Sequence, residues 1–255
     1  MTWFDFKDLL IVCLVFVPLE RFFALRREQR IFRGGWQTDL AHLFATGLLI
    51  TFGLTVVVMA VVVASERLPP ELRAAVAAQP FWLQFIEILV LADLGFYGAH
   101  RAFHAVPFLW RFHAVHHSIE ELDWLAAHRV HPVDQILTKS ASLLPLFALG
   151  FSDPPIVLFA VLYRWQALLI HSNVRIGFGP LRWIVASPQF HHWHHANCPE
   201  AANKNFAGQL AILDLLFGTL HLPGRRIPAR YGTDDRVPRS YFAQLAYPFV
   251  RRRGA

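Results

Sequence analysis

The chain has 255 residues, of which 55% are hydrophobic and only 16% are charged, and its mean hydropathy is +0.37. A soluble domain averages about 25% charged residues, so this composition argues against a soluble enzyme and indicates a membrane protein. The net charge of +6 comes with arginines beside apolar runs, which indicates a membrane-facing role and argues against nucleic acid as a partner.

Two apolar runs in the first third of the chain predict membrane helices. The first extends from about Leu9 to Leu25 and lacks a small-residue cleavage site, so we interpret it as a retained anchor helix rather than a signal peptide. The second, from Leu40 to Ala64, contains no charged residue and exceeds the about 20 residues that span a bilayer. Its one ionisable side chain, His42, lies near an end, and we predict that it is interfacial and not a metal ligand.

The third apolar run, Phe81 to Ala99, leads into the histidine-rich part of the chain. Four polar residues with spacings of i, i+4, i+7 and i+11 stand at its end, namely Asp93, Tyr97, His100 and His104. This spacing predicts one stripe on one helix that carries histidines out of the bilayer. A buried Asp93 needs a partner, which could be an arginine or a ligand histidine that it orients.

Two shorter apolar runs follow, Gln135 to Gly150 and Pro155 to Ile170, with FSDPP at their junction. Each is marginal for a full span, so together they predict a helical hairpin inserted from one side. The predicted fold is all-α: an integral membrane helical protein with about four spanning helices, or two spans plus hairpins, and a cytoplasmic histidine-rich helical cap that holds a dimetal site. We expect one domain over residues 1–255, with membrane helices at 1–99, two histidine clusters at 100–134, the hairpin at 135–172 and the cap at 173–255.

The positive-inside rule places the arginine-rich residues 21–33 in the cytoplasm. The alternation of spans then puts residues 65–80 outside, and it puts every histidine cluster and the arginines Arg251 to Arg253 on the cytoplasmic side. We therefore predict an integral protein of a bacterial-type inner membrane whose metal site and C-terminus are cytoplasmic.

Histidines recur at helical spacing in three places. His100 and His104 are four apart, while His113, His116 and His117, and again His191, His194 and His195, stand at i, i+3 and i+4. Residues three and four apart share a helix face, so each cluster directs two or three imidazoles to one place. Neutral imidazole binds transition metals, and eight ligands exceed what one ion takes, so the count predicts two metals. An all-nitrogen ligand set suits Fe, Zn, Cu or Ni without choosing among them.

Other catalytic classes lack their motifs. The sequence contains no HExxH, GxSxG, GxGxxG or GxxxxGK[ST], and its two cysteines, Cys13 and Cys198, predict neither a disulfide framework nor a thiolate metal site. A metal site at the ends of membrane helices is within reach of lipid chains, whose C–H bonds no amino-acid side chain breaks unaided. These observations favour oxidation by a redox metal and O₂.

Six motifs follow one another between Asp93 and Thr219: HRAFH at His100, HAVHH at His113, HP at His131, HSN at His171, HHWHH at His191 and LDLLFGT at Leu213. In order and spacing they resemble the fatty acid hydroxylase / sterol desaturase superfamily. The resemblance implies an integral membrane, non-haem di-iron oxidase. Such an enzyme uses O₂ and electrons from a separate reductase, ferredoxin or cytochrome to hydroxylate or desaturate a lipid or sterol-like substrate.

The resemblance also implies the metal ligands and the residues that support them. Ten histidines would hold two Fe ions, with Zn possible in purified protein: His100, His104, His113, His116, His117, His131, His171, His191, His194 and His195. Asn205 and Asp214, together with Asp93 and Tyr97, are expected to hold a ligand or the cap in place. Among the other histidines, His128 is left open as a ligand, His192 is expected beside the ligands or exposed, and His221 is expected to be no ligand.

Two motifs, HHSIE at His116 and NKNFAG at Asn203, are most similar to alkylglycerol monooxygenase-like members and their bacterial relatives. Ala105 stands where such members tend to have glutamate, and they lack the His131 motif, which instead matches sterol-oxidising members. An ether-lipid substrate and a pterin cofactor therefore stay open.

The sequence also leaves other functions open. A membrane carrier or sensor for metal ions would need ionisable residues inside several spans, whereas here they gather at the helix ends. A haem protein of the four-helix type would need paired histidines on facing spans. A catalytically inactive scaffold that keeps zinc would retain the same ligands as an oxidase.

Overall fold

The computed structural model describes residues 6–224 and 226–250, and within these ranges the chain is helical without a β-strand. The α-helices are α1 (Phe6–Phe22), α2 (Trp36–Ala41), α3 (Gly47–Ser65), α4 (Pro70–Ala77), α5 (Phe81–Ala105), α6 (Pro107–His117), α7 (Pro132–Leu149), α8 (Asp153–His171), α9 (Pro188–His194), α10 (Ala211–Leu216) and α11 (Tyr241–Ala246). A π-helical segment, His42–Thr46, joins α2 to α3, and 3₁₀ segments occupy Trp124–His128, Gly179–Trp183, Pro199–Ala201 and Tyr247–Phe249. The predicted all-α class is confirmed.

Three helical segments are long and apolar enough to cross a membrane. They are Trp36–Ser65, Phe81–Ala105 and Asp153–His171, with 30, 25 and 19 residues. By contrast, α1 has 17 residues, fewer than the about 20 that a span needs, and α7 carries buried polar side chains such as Asp134 and Ser142. The structure supports an integral membrane protein, while the expected count of about four spans is not confirmed.

The central helix of the bundle is α5, which packs against both α7 and α8. Gly95 allows the close approach to α7, because a Cβ at this position would collide with the carbonyl oxygen of Ala141. Ile88 and Ala92 of α5 pack in one apolar cluster with Phe159 of α8. Only residues 150–152 join α7 to α8, yet each of these helices packs more extensively on α5 than on the other. The arms of the expected hairpin are therefore held together through a third helix.

A buried network of charges fastens the segment before α3 to the loop that follows α6. The Arg33 guanidinium donates to the Asp39 carboxylate at 2.6 Å and to the Asp123 carboxylate at 2.7 Å. The Arg129 guanidinium donates to the other oxygen of Asp39. Removal of one partner would leave an uncompensated buried charge, at a cost of about 3–5 kcal/mol. The network thereby fixes the backbone at Arg129, whose carbonyl group faces the candidate metal centre.

The histidine-bearing ends of α5, α6, α8 and α9 gather at one end of the bundle, and the arginine-rich residues 21–33 reach the same end. The Leu25 N–H donates to the carbonyl of Asn173, two residues beyond α8, and the Arg26 guanidinium donates to the carbonyl of Pro228. This grouping agrees with arginines and histidines on one side of the membrane, while the cytoplasmic side itself stays a prediction. The arginines Arg251 to Arg253 lie outside the described residues.

Candidate metal centre

Nine histidines converge in two groups that could each hold a metal ion. Site A contains His100, His104, His113, His117 and His194, and site B contains His116, His171, His191 and His195. Within each group the ligand nitrogens lie within 4.8 Å of one another. Every member is buried except His104, which is partly exposed.

Each histidine triplet is divided between the two sites. In α6, His113 and His117 belong to site A and His116 belongs to site B; at α9 the i, i+4 pair belongs to site B and the histidine between them to site A. At 3.6 residues per turn, the residue at i+4 lies about 40° to one side of residue i and the residue at i+3 about 60° to the other, so one triplet can serve two neighbouring sites. The rings of His117 and His195 stack with centroids 4.7 Å apart, so the sites adjoin. We expected each triplet to point to one place, and instead each bridges two.

Helix starts and ends bring the histidines together. α5 ends at an extended Val106, and Pro107 opens α6, so the chain turns sharply between the first and second clusters. The turn places Nε2 of His113 3.0 Å from Nε2 of His100. The side-chain oxygen of Ser187 caps α9 by accepting a backbone N–H of its first turn. The third cluster therefore starts at a defined position opposite the other two.

The separations between nitrogen atoms fit two shared ligand spheres. The Nε2 atoms of His117 and His194 are 3.0 Å apart in site A. In site B, Nε2 of His191 lies 2.9 Å from Nε2 of His171 and 3.1 Å from Nε2 of His195. With metal–nitrogen bonds of about 2.0–2.1 Å, two ligands at right angles would be about 2.9 Å apart. The donor atoms therefore fit transition-metal ions that accept imidazole.

Hydrogen-bond acceptors hold the outward-facing nitrogens of five of these histidines. Nδ1 of His113 donates to the Asp134 carboxylate at 2.7 Å. Four others donate to backbone carbonyls, namely His100 to Phe206, His116 to Arg129, His171 to Ala167 and His194 to Lys204, over 2.7–3.0 Å. A carbonyl only accepts, so Nδ1 keeps its hydrogen and Nε2 turns a lone pair towards the site. The buried Nε2 of His104 has no hydrogen-bond partner among the described residues, as expected of an atom that faces a metal.

Burial favours the neutral form of several histidines in both sites. Burial, with a smaller contribution from His113, lowers the pKa of His116 to about 4. It also lowers the pKa of His117 and His191 well below the usual range, and neighbouring imidazoles add to the effect. Because metals bind the neutral ring, these side chains need not lose a proton to become ligands at neutral pH.

The structure does not bring His131 to either site. Its Nδ1 accepts the N–H of Val133 at 3.2 Å, which caps α7, and its Nε2 donates to the carbonyl of Leu245 at 3.2 Å. Both ring nitrogens of His131 are therefore hydrogen-bonded to backbone groups, and neither belongs to site A or site B.

Other histidines outside the two sites have structural contacts. His42 was expected to be interfacial, but this was wrong: it is 1% exposed, because α11 covers it and Gln244 accepts from its Nε2 at 2.8 Å. His192 is buried beside the ligands, where Tyr231 donates to its Nδ1 at 3.0 Å. His221 lies outside both sites and packs against the ring of Trp193. His128 also lies outside them and lines the cavity described below.

Three of the four residues expected to support the ligands, Asp93, Asn205 and Asp214, hold one loop, residues 204–210, while Tyr97 contacts Thr219 after α10. Asp93 accepts three backbone N–H groups of this loop, and Asp214 accepts two more. The Asn205 side chain bonds backbone carbonyls at α9 and beyond α10, and the hydroxyl of Tyr97 lies 2.9 Å from that of Thr219. The loop in turn supplies the carbonyls that accept from His100 and His194. Asp93 thus contacts neither of its two expected partners, since backbone N–H groups satisfy its carboxylate.

Sequence patterns did not single out Asp134, although its carboxylate binds a ligand candidate directly. The available signal was a carboxylate at the start of an apolar run, because such a group inside a membrane protein is costly without a function. The carbonyl acceptors carry no sequence signal, since every residue has one.

An apolar cavity of about 430 Å³ extends from the two sites into the helix bundle. His113 and His116 form part of its histidine end, and Ile50, Leu54 and Phe159 line it farther along. Its volume lies in the range of about 300–1,000 Å³ that is usual for small-molecule sites. An alkyl chain in this cavity would have its carbons next to the imidazoles.

Comparison with known proteins confirms the resemblance seen in the histidine motifs. The family model described as fatty acid hydroxylase matches residues 85–219, more than half of the chain. Ornithine lipid hydroxylase OlsE of Rhizobium tropici is 36% identical over 173 residues, which are 68% of this chain and 52% of that protein. Alkylglycerol monooxygenase of Xenopus tropicalis is 34% identical over 142 residues, 54% of this chain and 30% of that protein. The chain thus spans about half the length of the first relative and less than a third of the second. No solved structure matches it.

Proposed function

The chain belongs to the fatty acid hydroxylase family, and from this premise we propose that it is an O₂-dependent di-iron oxidase that hydroxylates a membrane lipid. The observation that supports this most is the convergence of nine histidines in two adjoining groups. The two relatives carry the names of a lipid hydroxylase and a monooxygenase. Because the chain covers only part of their length, hydroxylation by this chain is a proposal in its own right.

The nine histidines of sites A and B would hold the two ions, and His131 would cap α7 instead. Bound iron would supply the activation of O₂ that attack on an unactivated C–H bond requires. An all-nitrogen set also accepts zinc, so metal identity is the first quantity to measure.

The protein's own groups hold and orient the imidazoles and keep water from the reacting carbon. Asp134 and the carbonyls of residues 204 and 206 fix which ring nitrogen faces the site. The apolar lining of the cavity favours an alkyl chain over water. In the overall reaction one atom of O₂ enters the alcohol and the other leaves as water, which consumes two electrons and two protons.

We propose that these electrons come from a separate reductase, ferredoxin or cytochrome, as the resemblance to the family implies. We place the metal centre and the donor on the cytoplasmic side, in keeping with the arginines at the same end of the bundle. The names of the two relatives favour hydroxylation over desaturation and a lipid over a sterol.

Metal analysis of the purified chain tests the di-iron proposal. After iron-replete expression we expect about two iron ions per chain and a Mössbauer spectrum of non-haem iron, both unchanged in His221→Ala, which lies outside the two sites. Fewer than one transition metal per chain would overturn the proposal. Uptake of labelled metal into proteoliposomes would point to a carrier instead.

Lipid analysis under ¹⁸O₂ tests the reaction. We expect cells with the gene to contain a lipid that carries one ¹⁸O atom, and cells without it to lack this lipid. A new double bond without label would indicate desaturation. Zinc in both sites with no change in the lipids would indicate an inactive scaffold.

A further inference from the structure

Two of the five histidines of site A lack a hydrogen-bond partner at the outer ring nitrogen. His100, His113 and His194 each donate from Nδ1 to a carbonyl or carboxylate oxygen. Among the described residues, the His104 ring makes no hydrogen bond, and the one close polar contact of the His117 ring is its Nε2, 3.0 Å from Nε2 of His194. A ligand histidine is normally oriented by a partner at its outer nitrogen, so another contact must orient these two rings.

One aromatic side chain, Trp110, contacts both of these rings. Its ring centroid lies 5.1 Å from that of His104 and 5.3 Å from that of His117. Trp110 precedes His117 by seven residues, two turns of α6, so both side chains lie on the same face of the helix. Phe206 contacts the His104 ring as well, with centroids 5.2 Å apart. Apart from the ligands themselves, Trp110 is the one aromatic residue of the described chain that contacts both rings.

The indole of Trp110 is itself held by a carboxylate from the last part of the chain. Its Nε1 donates to the Asp235 carboxylate at 2.6 Å. A local turn orients this carboxylate, because the Thr233 hydroxyl accepts the N–H of Asp235 at 3.2 Å and the N–H of Val237 donates to the Asp235 carbonyl at 2.8 Å. Hydrogen bonds to a charged acceptor are stronger than neutral ones. The indole is therefore fixed in place next to the two histidines.

The same pair of side chains lies between site A and a polar cleft. Asp235 lines this cleft, which has a volume of about 490 Å³ and is also lined by Glu28 and Asp234. His104 is the partly exposed member of site A, and Trp110 is partly exposed as well. Because Trp110 contacts the ligands with its ring and the cleft wall with its Nε1, it separates the metal site from the water of the cleft.

We propose that Trp110 is a positioning residue of site A: held by Asp235, its ring sets the orientation of His104 and His117 and keeps the water of the cleft from the ion that they bind. The inference rests on the proposed function, since it concerns the metal centre of the same enzyme. A Trp110 that only fastened residues 233–237 to α6 would stabilise the fold without favouring one metal site. The two roles therefore differ in which ion responds to a substitution.

Release of Co(II) from the full-length protein in detergent tests this role without turnover. The metal-free protein is loaded with Co(II) alone, whose visible absorption changes with the number and geometry of its ligands, and an excess of chelator then removes the ions. In Trp110→Leu we expect the ion of site A to be bound about tenfold or more weakly, the usual effect of losing a residue that orients a ligand histidine, and to leave correspondingly faster. The ion of site B should leave at the wild-type rate. The same substitution in a His171→Ala background assigns the faster phase, because site A then keeps all of its histidines and site B does not.

Rescue variants separate the positioning role from a loss of packing. Trp110→Phe keeps an aromatic ring beside the two histidines and should weaken site A less than Trp110→Leu. Asp235→Asn keeps an acceptor for Nε1 and should stay within about threefold of wild type, whereas Asp235→Ala removes the acceptor and should exceed that factor at site A. Phe108→Leu is the matched control: it removes another ring of α6, whose aromatic contact among the described residues is Phe112, and release from both sites should not change.

Wild-type release from both sites in a folded Trp110→Leu protein would overturn the inference, and so would equal acceleration at both sites. If the unfolding midpoint shows that Trp110→Leu does not fold, Trp110→Phe and Asp235→Ala decide by the same criterion. A chain that holds iron and hydroxylates a lipid but shows no selective loss at site A would refute the role of Trp110 alone. A chain with selective loss of Co(II) from site A that holds no iron and oxidises no lipid would refute the oxidase proposal alone.

Discussion

Asp134→Asn should weaken metal binding at site A by about 10- to 100-fold, or about 1.4–2.8 kcal/mol, the usual effect of losing the partner of a ligand histidine. The Asp134 carboxylate accepts from Nδ1 of His113 at 2.7 Å, and the two side chains are only 3% and 6% exposed. The buried negative charge makes Nε2 of His113 a stronger donor to a metal. Asparagine keeps the shape and can still accept through its carbonyl oxygen. The change therefore measures the charge rather than the loss of a hydrogen bond.

The assay is competition for iron with a chelator of known affinity, with the unfolding midpoint recorded to verify that each variant is folded. Thr138→Val is the matched control, because its hydroxyl donates to the other oxygen of Asp134 at 3.1 Å while the carboxylate stays in place. We expect the control to stay within about threefold of wild type, as for one neutral hydrogen bond. Wild-type affinity in a folded Asp134→Asn protein would refute the view that this charge tunes the ligand, and so would an equal loss in both variants.

Three more predictions concern the ligands, the acid stability and the orientation of the chain. His171→Ala should reduce the iron content to about one ion per chain, whereas His131→Asn should keep two, and metal analysis of both proteins decides between them. Because burial lowers the folded-state pKa of His116 and His192 to about 4, the unfolded chain binds protons first as the pH falls. The stability of the metal-free protein should therefore be constant above about pH 6.5 and decline from there towards pH 4, as thermal unfolding at several pH values will show; a flat profile would contradict neutral burial. Cys198 lies in the cap, so an impermeant maleimide should label it only after the cells are permeabilised, and labelling of intact spheroplasts would place the cap outside.

The sequence was sufficient for the helical class because the apolar runs are long and the histidine spacing is regular. The sequence could not determine the number of membrane spans, since α7 combines the apolar residues of a spanning helix with the buried polar residues of a helix packed inside the protein. The buried polar side chains of α7 belong to a helix that packs against α3 and α5. A hydropathy average treats these side chains as if they faced lipid. The spacing of the histidine triplets predicted helices. It did not predict that each triplet would contribute to both metal sites, because that division depends on which other helices face the triplet.

The position of single histidines depended on contacts with distant residues. His42 lies next to Gln244, 202 residues along the chain, and His131 lies next to Leu245, 114 residues along it. Both contacts involve α11, which no motif predicted as a cover for this end of the bundle. A histidine before proline resembles a ligand in sequence, and its role as the cap of α7 becomes visible only when the partners of both ring nitrogens are known.

The polar residues around the site indicate how the chain makes a rigid ligand set from flexible elements. Asp93 and Asp214 use their carboxylates on backbone N–H groups of residues 204–210, not on the histidines. Both aspartates are buried, so release of the loop would leave their carboxylates without hydrogen-bond partners. Because an unpaired buried carboxylate costs free energy, these two side chains keep the loop in place. The loop carbonyls then hold the rings of His100 and His194, which come from different helices. Two of the five histidines of site A are therefore positioned through the backbone of one loop, and substitution of either aspartate should disturb both of them together even though neither carboxylate touches them.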